Sequence, residues 1–325
     1  MATYILRRLI QAIPILIGIS VVSFLIVYLA PGDPLDRFRS GRVSPQVIEN
    51  LRRLYGLDKP LLEQFVSWFT AFWQFPFRND AWGFSFVDGR PVIDKIAEKV
   101  PTTLLLMGTA LIVTIIVAIP LGVLAAVKQY SWADKIITTI ATIGYALPSF
   151  VLGLLLFFVF NVYFKPGNPL HLPGFGMQTL GKQGDLLDLA SHMVLPVSSL
   201  AIQQVAGWSR YMRSSMLEVL RQDYMRTAKA KGLPGSRVVF KHGLRNALIP
   251  VITLLGLSLP SLLAGAAITE FIFTWPGLGF MSVQSVQTND YPVVLATVMI
   301  GGVMVILGNL VADVLYGLVD PRIKY

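Results

Sequence analysis

Thr102–Ala126 reads TTLLLMGTALIVTIIVAIPLGVLAA, 25 residues without one Asp, Glu, Lys or Arg. A helix needs about 20 apolar residues to cross the hydrocarbon core of a bilayer. Five further stretches are free of charge in the same way: Leu9–Ala30, Ile136–Phe164, Met193–Ser209, Leu248–Thr269 and Pro292–Ala312. Met193–Ser209 is short for a span and Ile136–Phe164 is long. Lipid offers no partners for open backbone groups, so the spans are expected to be helical, and no alternating barrel pattern appears. The expected fold is all-α integral membrane with six transmembrane helices.

Composition agrees. Of the 325 residues 54% are hydrophobic and 14% charged, with a mean hydropathy of +0.64. A soluble domain clothes its surface with about 25% charged residues. The absence of cysteine excludes disulfides and thiolate metal sites, and His171, His192 and His242 are too scattered to form a local ligand cluster. Arg7 and Arg8 followed by an apolar run invite a signal-peptide reading. The run is 22 residues long, however, and ends in Ala30-Pro31-Gly32-Asp33-Pro34 without a small-x-small cleavage pattern. A signal h-region is roughly 7–15 residues, so an uncleaved first helix is expected.

Orientation follows from Lys and Arg. With the N-terminus inside, the cytoplasmic segments hold fifteen basic residues against five acids, and the outer segments twelve against thirteen. Nine of the inner basic residues lie between Arg210 and Arg245. The long outer segment has its own helical signals. Ser44-Pro45-Gln46-Val47-Ile48-Glu49 starts like a helix, Val47, Leu51, Leu54 and Tyr55 recur at helical spacing, and Gly56 is a stop. Leu61–Phe75 is expected to be a second, aromatic-rich amphipathic helix, and both helices are expected on the outer membrane surface or over the mouth of the bundle, a solvated cap and a partner-docking surface being equal readings.

The basic loop, Gln222–Ile249, reads QDYMRTAKAKGLPGSRVVFKHGLRNALI. A short helix from about Asp223 to Lys231 is expected, with Asp223 as its cap and Gly232 as its stop, followed by Pro234. Tyr224 and Ala228 are four apart and share one face, and Arg226 and Lys229 share another. Small side chains beside basic ones suit insertion into a groove on a partner. A basic loop attracted to anionic lipid, at about 1 kcal/mol per charge, is an equally good reading of composition alone. No contact with nucleic acid is expected, because topology accounts for the charge.

The segment Arg226-Thr227-Ala228-Lys229-Ala230-Lys231-Gly232 resembles the EAA loop of binding-protein-dependent ABC import permeases. That pattern is Glu-Ala-Ala, three residues, then Gly. Ala228 and Gly232 match it, and Arg226 and Thr227 depart from it. The form found here is similar to the dipeptide/oligopeptide/nickel branch, whose pattern continues in His242, Leu244, Arg245, Asn246 and Pro250. Arg7-Arg8 with Ala30-Pro31-Gly32-Asp33-Pro34 resembles that branch's N-terminal signature, as does Gly56-Leu57-Asp58-Lys59-Pro60. So do Thr269-Glu270-Phe271, Trp275-Pro276-Gly277-Leu278-Gly279, Asn289-Asp290-Tyr291-Pro292, Gly308-Asn309-Leu310, Asp313 and Asp320-Pro321-Arg322. Ala81-Trp82-Gly83-Phe84-Ser85 follows the branch only loosely, and no role is assigned to it.

The resemblance implies a type I ABC importer permease with cytoplasmic termini. Residues 1–30 would be the first spanning helix, 31–101 an extracytoplasmic segment, and 102–325 a five-helix core with a coupling loop at 210–247. It implies a homologous second permease subunit, two ATPase subunits that hold ATP and magnesium, an extracytoplasmic substrate-binding protein, and residence in a bacterial or archaeal plasma membrane. No cofactor is expected in this chain. The solute would be a dipeptide or oligopeptide, with a nickel chelate or another small solute as the alternative. Coupling to the ATPase falls to Asp223, Tyr224, Arg226, Thr227, Ala228, Ala230 and Gly232. An autonomous secondary carrier is the reading from another class. It would need ion-coupling carboxylates at mid-membrane, and only Asp313 comes near.

Gly176-Met177-Gln178-Thr179-Leu180-Gly181-Lys182-Gln183 is a near-miss for a phosphate-binding loop. It has Gln183 where Ser or Thr would hold magnesium, and it lacks a strand before it. No catalytic triad, zinc motif or carboxylate pair appears at usable spacing. Intramembrane polar groups are costly and mark function. Gln203 and Gln204 are candidates for a solute path, along with Tyr145, Pro148, Ser258 and Ser261 on helices that proline is expected to bend. Ser261 and Gly265 form a small-xxx-small pair. Asn309 and Asp313 are expected to bond to neighbouring helices or the basic loop, and Glu270 to be hydrated or paired at an outer helix end.

Overall fold

The computed structural model describes residues 2–30, 33, 35, 44–74, 78, 80–264 and 266–319. Among them the chain is helical, with a single isolated antiparallel bridge between Phe84 and Pro91. Four helices are long and apolar enough to cross a membrane: α1 (Ala2–Leu29), α4 (Val92–Val127), α7 (Leu186–Leu220) and α14 (Tyr291–Val319). Two bent pairs raise the number to as many as six if each is one span.

The first bent pair bears out the bend expected at Pro148 within Ile136–Phe164, and the bend is a full break. The chain forms α5 (Trp132–Ala146) and α6 (Ser149–Phe157), the latter ending in a π-helical stretch Phe158–Tyr163, and the two halves meet at 99°. The cause is Pro148. It carries no N–H for the helical ladder, and its ring drives Leu147 out of the helical region to φ −86°, ψ 127°. The second pair joins Gly235–Ala247, in which the short helices α9 (Gly235–Arg237) and α10 (Arg245–Ala247) flank a π-helical stretch, to α11 (Ile249–Ala264) with a 42° bend. The apolar run expected to end at Thr269 is interrupted, and a separate short helix α12 (Ala267–Ile272) leads to α13 (Leu278–Gln287).

Helix α7 has 35 residues, about 52 Å at 1.5 Å per residue. It therefore overruns the bilayer, and its far end carries Arg210, Arg213 and Arg221. Its partner over much of this length is α4. At Gly122 a Cβ would stand 2.5 Å from the Met212 Cβ and 2.7 Å from the Ser209 carbonyl oxygen. Only a glycine lets these two backbones approach so closely. Ala118, Val123, Met212, Met216, Ala247 and Val251 fill the core below this crossing. A second close approach joins α14 to α11, where a Cβ at Gly308 would meet the Pro260 backbone at 2.7 Å. The expected contact through Ser261 and Gly265 cannot be followed, because Gly265 lies outside the described residues. Helix α1 lies along α14. Ser20 is buried there and returns its hydroxyl proton to the Leu16 carbonyl at 2.6 Å. Of the partners expected for Asp313, the neighbouring helix is realised, since Arg8 of α1 pairs with it at 2.9 Å.

The end of the bundle away from the basic loop is capped by two further helices, α2 (Pro45–Leu54) and α3 (Leu61–Phe72), and by the α12–α13 hairpin. Ser44 and Pro45 open α2 as the sequence predicts, although the Ser44 side chain makes no cap bond, and Gly56 turns the chain at φ +65°. Glu270 differs from expectation. It is fully buried, accepts from the Thr103 hydroxyl at 3.0 Å and from the Phe280 N–H at 2.9 Å, and has no cation within ion-pair distance among the described residues. Burial pushes its carboxyl above the usual range, and these hydrogen bonds work against that push. With Thr102, which donates to the Pro276 carbonyl and accepts the Trp275 indole N–H at its own carbonyl, it fastens the hairpin to α4.

Candidate functional site

The basic loop folds as predicted into a short helix, α8 (Asp223–Ala230). The Gly232 N–H closes on the Lys229 carbonyl at 2.9 Å, with Gly232 at φ +73°, so a left-handed glycine ends the helix. The cap is one residue earlier than expected. Gln222 holds the extended N-cap conformation, and Asp223 is the first helical residue, where its charge still favours the N-terminus.

The faces of α8 require a second correction. Ala228 does not share an open face with Tyr224. It is buried with Met225 and Val238, and Leu220 and Leu233 close around them. The small side chain is needed inside this chain, where it lets α8 settle onto the segment that follows. Gly243 completes the seat, since a Cβ there would meet the Met216 Cε at 2.8 Å and the Met225 Cε at 3.3 Å. Through these methionines α8 rests on the end of α7. The surface left open by α8 consists of Asp223, Tyr224, Arg226, Thr227, Lys229 and Ala230.

Beside that surface lies an open concavity of about 420 Å³ lined by Tyr224, Lys241, His242, Arg245 and Asn246. The Asn246 amide donates to the Tyr224 hydroxyl at 3.0 Å and to the His242 carbonyl at 3.2 Å. Among the described residues Lys241 and Arg245 have no carboxylate within ion-pair distance, and the one acid of α8, Asp223, faces Arg226 at 3.4 Å. The surface is cationic and polar, suited to carboxylates or backbone carbonyls of a partner.

One link ties this platform to the bundle, and a second ties the adjoining ends of α5 and α7 to each other. Ser215 donates to the Ala247 carbonyl at 2.9 Å. Arg213 of α7 grips Asp134 of α5 with two bonds, at 2.7 and 2.8 Å. Asp134 also accepts the Tyr130 N–H and the Thr138 hydroxyl, so its buried charge is fully partnered.

The path candidates divide. Tyr145, Pro148 and Gln203 come together at the break in the α5–α6 pair. The Gln203 amide reaches the Leu147 carbonyl at 3.4 Å, and Tyr145 covers Gly207 and stacks under the Arg210 guanidinium at 4.4 Å. Gln204 is half-buried on the same turn of α7. Ser258 and Ser261 return their hydroxyl protons to α11's own carbonyls, those of Leu255 and Ser258, and are not brought to the break. The near-miss loop at Gly176–Gln183 sits in the irregular connection before α7, and its Thr179 binds Asp188 through both N–H and hydroxyl.

Two family profiles match this chain. Residues 118–325 match the binding-protein-dependent transport system inner membrane component, and residues 1–107 match the N-terminal part of such membrane components. The chain belongs to this permease family. It is similar over its whole length, and over the whole of each relative, to the oligopeptide transport system permease protein AppB of Bacillus subtilis strain 168, at 45% identity. It is likewise similar to the glutathione transport system permease protein GsiC of Escherichia coli strain K12, at 40%. The permease is thus a multi-pass membrane protein.

Three groups in this permease leave no mark in the local sequence. Asp134 and Arg213 stood in the charge count, and nothing in their spacing pairs them across 79 positions. Ser85, to which local sequence assigns no role, and the Phe86 N–H bind the buried Asp290. Lys95 joins them, bonding Ser85 at 3.0 Å and Asp88 at 2.9 Å.

Proposed function

We propose that this permease is one half of the membrane path of an ATP-driven importer of peptide-type solutes. It would have six spans, both termini in the cytoplasm and the basic end of the bundle facing the cytosol. A homologous permease would supply the other half, two ATPase subunits would dock beneath, and an extracytoplasmic binding protein would deliver the solute. Residues 31–101 would form the outer segment and 210–247 the coupling loop. ATP and magnesium would be held by the ATPases. The names of the full-length relatives, for an oligopeptide and a glutathione permease, favour a peptide over a nickel chelate.

The observation that carries this reading is α8. It is a short helix seated on the end of α7 by Met225 and Ala228, with Tyr224, Arg226, Thr227 and Ala230 turned outward beside a cationic concavity. A helix built this way can transmit force in both directions. Its inner face is fixed to helices of the bundle, and its outer face is free for an ATPase that changes shape between nucleotide states. Coupling requires that the loop bind those states unequally. Tyr145, Pro148, Gln203 and Gln204 at the broken helix are the proposed path-lining group. Ser258 and Ser261 are retained on α11 as more distant candidates.

The test replaces residues on the open surface. Ala230→Trp and Thr227→Trp should leave membrane insertion and assembly with the second permease intact, while peptide uptake falls at least tenfold and ATP hydrolysis no longer responds to loaded binding protein. Normal uptake in both variants would overturn the reading.

A further inference from the structure

Helix α3 has more apolar surface than the fold uses. At 100° per residue, its apolar residues form two adjacent stripes about 100° apart. One is Phe65, Trp68 and Phe72. It packs inward, with Phe24 near the outer end of α1 meeting Phe65 at 5.4 Å and Trp68 at 5.7 Å, and with Phe72 stacked on Trp82 at 5.0 Å. The other runs along Leu62, Val66, Phe69 and Trp73. Leu62 is 69% exposed, Val66 49% and Trp73 47%. The third side of the helix is polar, with Glu63, Ser67 and Thr70 exposed.

A helix with one side against protein, one apolar side bare and one polar side is what a water–lipid boundary requires. The position fits. Phe24 is the contact through which α3 meets α1, and beside it on the same side of α1 Val21, Leu25 and Tyr28 are exposed, at 37%, 38% and 48%. The bare stripe of α3 is therefore continuous with the lipid-facing surface of a spanning helix, next to the point where that helix ends. Tyr28 and Trp73 sit there as well, half-exposed aromatic side chains with one polar atom each, the type enriched at the headgroup level.

We propose that α3 is an interfacial helix, with Leu62, Val66, Phe69 and Trp73 sunk into the outer leaflet and Glu63, Ser67 and Thr70 in water, so that the outer segment is moored to the bilayer beside α1. The occupant of the bare stripe is lipid acyl chain, and neither the second permease nor the binding protein covers it. The mooring does not depend on which solute is carried.

The chain has no cysteine, so a nitroxide can be placed at one chosen residue. Leu62→Cys, Val66→Cys, Glu63→Cys and Ser67→Cys would be labelled separately in the full-length chain within its assembled transporter. The transporter would be reconstituted in vesicles of phosphatidylethanolamine and phosphatidylglycerol, and the signal of the unsubstituted complex subtracted. Collision with oxygen reports lipid, and collision with a nickel chelate reports water. Labels at 62 and 66 should show an oxygen-to-nickel ratio severalfold higher than labels at 63 and 67. Equal ratios at all four would place the stripe in water and overturn the proposal. Labels at 62 and 66 shielded from both reagents would show a protein partner on the stripe and overturn it equally. All four positions are exposed, and the polar pair reports whether the helix is folded in the same samples.

Discussion

At the scale of single residues, the Asp134–Arg213 pair has the largest stake. The Asp134 side chain is 5% exposed and that of Arg213 24%, and the carboxylate collects four donors in all. Removing one partner strands the other charge away from water, which costs about 3 kcal/mol or more. Asp134→Ala or Arg213→Ala should therefore lower the thermal midpoint of the purified permease clearly. The double replacement should cost less than the sum of the two, because no orphan charge remains. Strict additivity in that cycle would mean that the two side chains do not act as a pair. Gly122 is the other sensitive point. Gly122→Leu puts side-chain atoms where the Ser209 carbonyl and Met212 already sit, so α4 and α7 must part. Overpacking of this kind costs about 1–3 kcal/mol, and more where backbone must shift. The expected result is loss of monodisperse protein on extraction, with Gly122→Ala the milder of the two.

At the scale of elements, α8 makes its own prediction. Ala228 is buried against Met225 and Val238, so Ala228→Leu should lift α8 off its seat and disturb the whole platform. Ala230→Leu, on the open surface, should leave the platform folded. Limited proteolysis of the basic loop separates them, with faster cleavage expected for the first and a wild-type rate for the second. Equal rates would remove the distinction between the buried and the open face. The same helix shows what local sequence conveys. Its start, its glycine stop and its length were legible, because caps and stops are written in adjacent residues. Which face it would bury was not, because that depends on Val238 and Met216, which reach it only through the fold. The α5–α6 break shows the same division. Pro148 announces a disturbance, but whether a helix continues through a proline, as α4 does through Pro120, or breaks there at 99°, is decided by what packs around it. Gln203, reaching the freed Leu147 carbonyl, is part of that decision. Long-range ties such as Ser85 to Asp290, 205 positions apart, leave no trace in local pattern at all.

At the scale of the whole molecule, the distribution of charge sets a direction that the packing must accommodate. Helices α4 and α7 run the same way: Leu106 packs near Met193 at one end, and Gly122 near Met212 at the other. Both must therefore enter the membrane from the same side, and α5 must return between them. The connection Lys165–Asp185 then falls on one side and α8 on the other. In the proposed topology the Lys/Arg excess puts α8 in the cytoplasm, because the sequence segments assigned to that side hold fifteen of the 27 basic residues and five of the 18 acids. Single cysteines in this cysteine-free chain test the assignment directly. Lys182→Cys, in the exposed turn ahead of α7, should react with a membrane-impermeant maleimide in intact cells. Lys231→Cys, at the end of α8, should react only after the membrane is opened. Both sites are exposed, so poor reactivity cannot be ascribed to burial. The reverse pattern would invert the molecule and place the concavity beside Tyr224 outside the cell, beyond the reach of any cytosolic ATPase. Labelling of both sites in intact cells would mean that they share one side, so that α7 would not cross the membrane and the span count would fall.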